Sequence, residues 1–227
     1  MTPEEMKKAA ALEALKLVRD GMVLGIGTGS TVNFFIDALK DLIAQGVRIR
    51  GVSTSIESSE RARTAGVSVE EDYTGTIDLD VDGADEMDAS GNLVKGGGGA
   101  LLREKIIAYN SKNVCIIADE SKFKTNGIGT FRIPVEVLPY LSQMTRNQVE
   151  RLGGICIFRE NGKYRTDNGN MVMDCDFGII KNPTEMESKI KMIPGVMEVG
   201  LFCGLATLAV VAGQNGIRTI NFKNFSP

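Results

Sequence analysis

Apolar residues recur along the first third of the chain at helical spacing, interrupted by short apolar runs. From 3 to 19, Met6, Ala9, Ala10, Leu12, Leu15 and Val18 fall on or near one face with Lys and Glu elsewhere, which predicts an amphipathic helix closed by Asp20-Gly21. The run Met22 to Gly27 has the length of a buried strand, and Phe35, Leu39, Leu42 and Ile43 mark a second helix over 32–44. A strand near Ile49–Val52, a helix over 56–65 capped by Ser55 and a short strand at 67–69 follow. Ile77, Leu79 and Val81 then alternate with Asp78, Asp80 and Asp82, as in a strand that delivers carboxylates into a loop. After a helix over about 100–109, residues 113–118 form a mostly apolar strand ending in Asp119, Glu120, Ser121 and Lys122. Strands alternating with helices at this spacing predict a parallel sheet, with ligands gathered at the strand C-terminal ends.

The pattern changes near Thr130. Residues 131–137 read as a strand, and Pro134 inside it predicts an edge or entry position. A helix over 141–152 stops at Gly153-Gly154, and 155–158 is a strand. Asp167-Asn168-Gly169-Asn170 predicts a hairpin turn before a strand at 171–175. A helix at 183–192 and a strand at 195–200 complete an α+β unit, after which 205–211 and 217–222 return to the first sheet. The expected architecture is α/β: a Rossmann-like parallel sheet flanked by helices over 1–130 and 204–227, with a smaller inserted α+β, ferredoxin-like lid over 131–203.

Composition narrows the function. Hydrophobic content of 43% with 24% charged residues is ordinary for a globular protein, and a net charge of -3 gives no electrostatic case for nucleic acid or an anionic membrane. No apolar run approaches bilayer length and the N-terminus lacks the order of a signal peptide, so a cytoplasmic location is expected. Cys115, Cys156, Cys175 and Cys203 are widely spaced with no C-x-x-C pair, and are expected to be buried reduced thiols. Histidine is absent. That excludes a Ser-His-Asp triad and His-ligated zinc, and leaves proton transfer to carboxylates, Lys, Tyr or Cys.

Three segments carry candidate chemistry. At Gly25-Ile-Gly27-Thr28-Gly29-Ser30-Thr31 a strand turns into a helix, where orphan N–H groups and hydroxyls converge on one spot suited to phosphate; the plainer alternative is a tight junction. A dinucleotide site fits poorly: Ser30 stands where the third glycine belongs, and Ser53-Thr54-Ser55 where a ribose-binding acid belongs, hydroxyls that suit a sugar or phosphate better. Asp78-x-Asp80-x-Asp82-Gly83 opens like a calcium loop, but Ala89 occupies the position that requires a bidentate Glu. A solvated turn would account for Glu86 and Asp88, less well for Lys95 and the glycines 96–99 that follow. The third reading is catalytic. Asp82, Gly83, Ala84 and Asp85 approach a sugar, Lys95 with the N–H groups of Gly96, Gly97 and Gly98 stabilises an oxyanion, and Glu104 serves as base or, alternatively, is a surface charge. The set suggests proton abstraction beside a carbonyl of a phosphorylated sugar.

These residues resemble a known family. Gly25-Ile-Gly-Thr-Gly-Ser-Thr31, Asp82-Gly-Ala-Asp85, Lys95-Gly-Gly-Gly98, Arg103-Glu104-Lys105 and Thr166-Asp-Asn-Gly-Asn170 look like the hallmark segments of type A ribose-5-phosphate isomerase, in order and over nearly the whole chain. The resemblance implies interconversion of ribose 5-phosphate and ribulose 5-phosphate through an enediol, in the pentose phosphate pathway, with no metal or other cofactor, in a homodimer or homotetramer. It implies Glu104 as proton carrier, Asp82 and Asp85 as the residues that hold and help open the ring, and Lys95 as the enediolate's partner. Thr28, Gly29, Ser30, Thr31, Gly96, Gly97, Gly98 and Lys122 would bind substrate. One segment departs: the family often has a basic residue followed shortly by Asp where this chain has Leu205-Ala206-Thr207.

Overall fold

The computed structural model describes residues 1–223; residues 224–227, expected in the first domain, lie outside the described residues. Two compact units emerge. One comprises Met1–Ala84, Arg103–Phe123 and the chain from Leu205 onward, the other Asp85–Leu102 and Lys124–Gly204. The segment 85–102, expected with the first sheet, thus clusters with the second unit.

Helix α1 (Pro3–Leu15) starts in a capping box, in which the Thr2 hydroxyl accepts from the Glu5 N–H and the Glu5 carboxylate accepts from the Thr2 N–H. Its buried face is narrower than the sequence spacing suggests: Ala10, Ala11 and Ala14 are buried while Leu12 is 41% exposed. Then come β1 (Val23–Ile26), α2 (Ser30–Ala44), β2 (Arg50–Ser53), α3 (Ile56–Thr64), β3 (Ser68–Val69) and β4 (Ile77–Asp82). Phe35, Ile36 and Leu39 of α2 are fully buried, each contributing about 1.5–3 kcal/mol against exposure. Strands β5 (Glu86–Asp88) and β6 (Leu93–Val94) precede α4 (Leu101–Tyr109), β7 (Ser111–Asp119) and β8 (Phe123–Lys124). The remaining elements are β9 (Ile133–Val137), α5 (Ser142–Glu150), β10 (Ile155–Phe158), β11 (Met171–Asp176), α6 (Pro183–Lys191), β12 (Val196–Val199), β13 (Leu201–Phe202), β14 (Leu208–Gly213) and β15 (Gly216–Asn221).

The first unit holds a seven-stranded sheet in the order β15-β14-β7-β4-β1-β2-β3, parallel except for the β14–β15 hairpin. Strand order reverses between β1 and β4, and in open parallel sheets ligands bind at such a switch point. The alternating strand expected over these residues is β4, which ends at Asp82: Asp78 pairs with Lys112 at 2.8 Å, Asp80 is fully buried, and Asp82 is the last strand residue. In the departing segment, Thr207 joins β14 to β7, since its hydroxyl accepts from the Val114 N–H and donates to the Val114 carbonyl, each at 2.9 Å.

In the second unit the order β10-β11-β9-β12 with α5 and α6 is the split βαββαβ arrangement of a ferredoxin-like fold. Of the two positions expected for Pro134, the edge is corrected, because β9 is central, flanked by β11 and β12, and Pro134 lies at the entry of that strand as its second residue. The missing N–H is tolerated because β12 ends at Val199, paired with Val135, so Pro134, opposite Asp174 on the β11 side, lies one residue beyond the β9–β12 ladder, where its carbonyl accepts the Gly200 N–H at 2.7 Å. The cysteines are a second correction. Cys156 and Cys175 lie opposite each other on β10 and β11 and form a disulfide, whereas Cys115 and Cys203 take no part in a disulfide and keep their thiols. The Thr166–Asn170 segment makes a tight turn around buried Glu136, whose Oε1 accepts from Thr166 Oγ1 (2.9 Å), Asn168 Nδ2 (3.2 Å) and Asn170 Nδ2 (2.9 Å).

Candidate active site

The first unit brings Asp82, Gly83 and Thr28 together. The Asp82 carboxylate, 1% exposed, accepts the Thr28 N–H at 3.2 Å and the Gly83 N–H at 2.7 Å, so the turns after β1 and β4 share one anchor. The Thr28 hydroxyl is engaged within the first unit. It shares hydrogen bonds with the hydroxyls of Thr54 (2.6 Å), Ser55 (2.8 Å) and Ser58 (3.2 Å). The Thr54 and Ser55 hydroxyls, read from sequence as suited to a sugar or phosphate, are therefore a buried brace under the turn.

Helix α2 begins directly after this turn. Gly29 is its N-cap at φ 124°, a conformation that excludes a side chain, and it supplies no side-chain cap to the N–H groups at the positive helix end. Ser30 and Thr31 open the helix. Lys7 of α1, which the sequence analysis missed, donates from Nζ to Ser30 Oγ at 3.0 Å, and both line a cavity of about 770 Å³ with Arg61. Its signal was faint, because a Lys on the polar face of an amphipathic helix looks like any solvated charge. Lys122 stands on the short 3-10 turn after β7, and its side chain makes no ion pair among the described residues.

Glu104 lies in the first turn of α4 and is 3% exposed, so it is not a surface charge. The flanking Arg103 and Lys105 are half-buried.

In the second unit Asp85 and the glycine turn meet. Asp85 Oδ2 accepts the Gly97 N–H at 2.8 Å, and a Cβ on Gly97 would lie 2.6 Å from Asp85 Oδ1, which only glycine avoids. Lys95 is 4% exposed; its N–H donates to the Gly200 carbonyl at 2.9 Å and its ammonium lies 5.5 Å from the Phe202 ring. Gly96 and Gly99 adopt positive φ, and the Gly99 N–H closes the turn on the Gly96 carbonyl at 2.9 Å. Buried carboxylates, a buried ammonium and a helix N-terminus are the equipment for holding an anionic polyol and moving a proton on it.

Comparison with known proteins agrees with this chemistry. Residues 50–216 match the family model for ribose 5-phosphate isomerase A, also called phosphoriboisomerase A. The chain is 48% identical to a ribose-5-phosphate isomerase A of Picrophilus torridus over 97% of its own length and 99% of the relative's. Among solved structures, the ribose 5-phosphate isomerase A of Methanocaldococcus jannaschii superposes with a TM-score of 0.92 at 36% identity, covering 97% of this chain and 100% of that one. A D-ribose-5-phosphate isomerase in complex with phospho-erythronic acid gives 0.94 at 36% identity, with the same coverage.

Proposed function

The chain belongs to the ribose 5-phosphate isomerase A family, and from that premise we propose how its own residues interconvert ribose 5-phosphate and ribulose 5-phosphate. The Glu104 carboxylate takes the proton from C2 of the open-chain aldose. The C–H electrons form the C1=C2 bond, and negative charge moves to O1. Returning the same proton to C1, with a proton passing from O2 to O1, gives the ketose, so the reaction is redox-neutral overall. Lys95 and the Gly96–Gly98 turn stabilise the charged oxygen, Asp82 and Asp85 hold sugar hydroxyls and assist ring opening, and Gly83 and Ala84 contribute backbone. Ser30, Thr31 and the α2 N-terminus at Gly29 bind the phosphate, with Thr28 fixing the turn and Lys7 and Lys122 supplying positive charge.

The observation that carries this reading is the burial of Glu104 at the start of α4 in a chain that has no histidine to serve as base. The assay is ketose formation from ribose 5-phosphate in EDTA, with wild type beside Glu104→Gln. The variant is expected to fold and bind substrate while losing at least about 10²-fold in turnover; near-normal turnover rejects the assignment.

We also propose a cytoplasmic homodimer or homotetramer. Exposed Tyr140, Leu141, Met144 and Met192, all in the second unit, support self-association. Light scattering after gel filtration gives the mass that decides it.

A further inference from the structure

The glycine turn of the second unit is gripped through its carbonyls. The Gly96 carbonyl accepts from Arg159 Nη2 at 3.0 Å, the Gly97 carbonyl from Arg159 Nη1 at 3.1 Å, and the Gly98 carbonyl from the Tyr164 hydroxyl at 3.3 Å. Arg159 is itself fixed by a two-point ion pair with Asp174, Nε to Oδ2 at 2.8 Å and Nη2 to Oδ1 at 2.7 Å. Four hydrogen bonds from the five N–H groups of a guanidinium leave little for a substrate. Burial works against the Arg159 charge, but the Asp174 contact outweighs it and Asp85 adds in the same direction, so its pKa is raised.

A trans peptide is planar, so drawing a carbonyl to one side sends the next residue's N–H to the other. The Gly97 N–H, opposite the Gly96 carbonyl, meets Asp85 as that geometry requires. The Gly98 N–H, opposite the Gly97 carbonyl that Arg159 holds, makes no hydrogen bond among the described residues, and Gly98 is exposed. It is a donor aimed by Arg159 and not used by the protein. Tyr164 adds a limit on the same turn, since its hydroxyl occupies the space that a side chain on Gly99 would need.

We propose that Arg159, held by Asp174, is a positioning residue for the isomerisation: it turns the Gly96 and Gly97 carbonyls aside and presents the Gly98 N–H to the oxygen that gains charge in the enediolate. This rests on the function proposed above. A donor that strengthens as charge develops lowers the barrier more than it tightens ground-state binding.

The test is steady-state kinetics on ribose 5-phosphate with the full chain carrying Arg159→Met, Arg159→Lys or Asp174→Asn, each with a thermal melt. The expected result is a fall in kcat of about tenfold or more with KM changed less than about threefold. Arg159→Lys is expected to fail as a rescue, because one ammonium cannot span two carbonyls and a carboxylate in a plane. Should Arg159→Met not fold, Asp174→Asn carries the test, since it keeps the arginine and loosens its orientation. A folded variant with kcat within twofold of wild type, or one that raises KM alone, overturns the proposal. Glu104→Gln run in parallel separates the two ideas: full activity there rejects the assigned base, while an inactive Glu104→Gln beside active Arg159 and Asp174 variants rejects only the positioning role.

Discussion

The Asp82 carboxylate occupies the space that a Cβ on Gly27 would need. Gly27 is therefore glycine for lack of room, and the same carboxylate oxygen collects the N–H groups of Thr28 and Gly83. Gly27→Ala is expected to displace Asp82, costing about 1–3 kcal/mol of stability, and to lower kcat/KM by more than the unfolded fraction accounts for. Urea titration and initial rates on the same preparation check both.

Lys7 reaches Ser30 from a helix 23 residues earlier in the chain. If the α2 N-terminus receives the phosphate, Lys7→Ala removes one charge-assisted contact of about 1.5 kcal/mol and raises KM about tenfold with a smaller change in kcat. The defect should shrink at high salt, where wild-type KM rises toward that of the variant. A salt series of KM for both proteins tests this.

The disulfide makes the thiol count informative. Unfolded without reductant, the chain should titrate two thiols, Cys115 and Cys203, and four after reduction. In the folded protein Cys115 should resist alkylation, because burial, helped by the Asp80 charge, pushes its thiol far above the usual range. Cys156→Ser should lower stability by about 2–4 kcal/mol in oxidised protein and by much less in reduced protein.

Most of the sheet was legible because apolar runs and helical spacing are local signals. The ends of β1 and β4, and hence Thr28–Thr31 and Asp82–Ala84, fall where those signals end. What escaped depends on partners distant in sequence. Whether Pro134 marks an edge or an entry position depends on where β12 stops, and Cys156 has no visible mate until β10 and β11 are in register. Lys7 and Arg159 carry no local mark, since an amphipathic helix and a polar loop both contain such charges. Segment 85–102 follows the first sheet in the chain, whereas pairing of β6 with β13 ties it to residues about a hundred positions later.

Asp20 provides an acid-sensitive contact away from the site. Hydrogen bonds from the Arg48 side chain and backbone hold its carboxyl at about 2, below the ordinary 3.8. A folded-state value below the unfolded one means that the contribution is present above about pH 4 and lost as pH falls through about 2. Asp20→Asn should thus be less stable than wild type at neutral pH and converge with it near pH 2. Urea midpoints across that interval measure the convergence.

Gly200 sits where three constraints meet: its carbonyl takes the Lys95 N–H, its own N–H goes to the Pro134 carbonyl, and a Cβ there would lie 2.8 Å from the Pro134 ring. Movement at the end of β12 is therefore passed to the backbone that carries the Lys95 side chain, through this hydrogen bond and through the pairing of Leu201 with Val94 beside it.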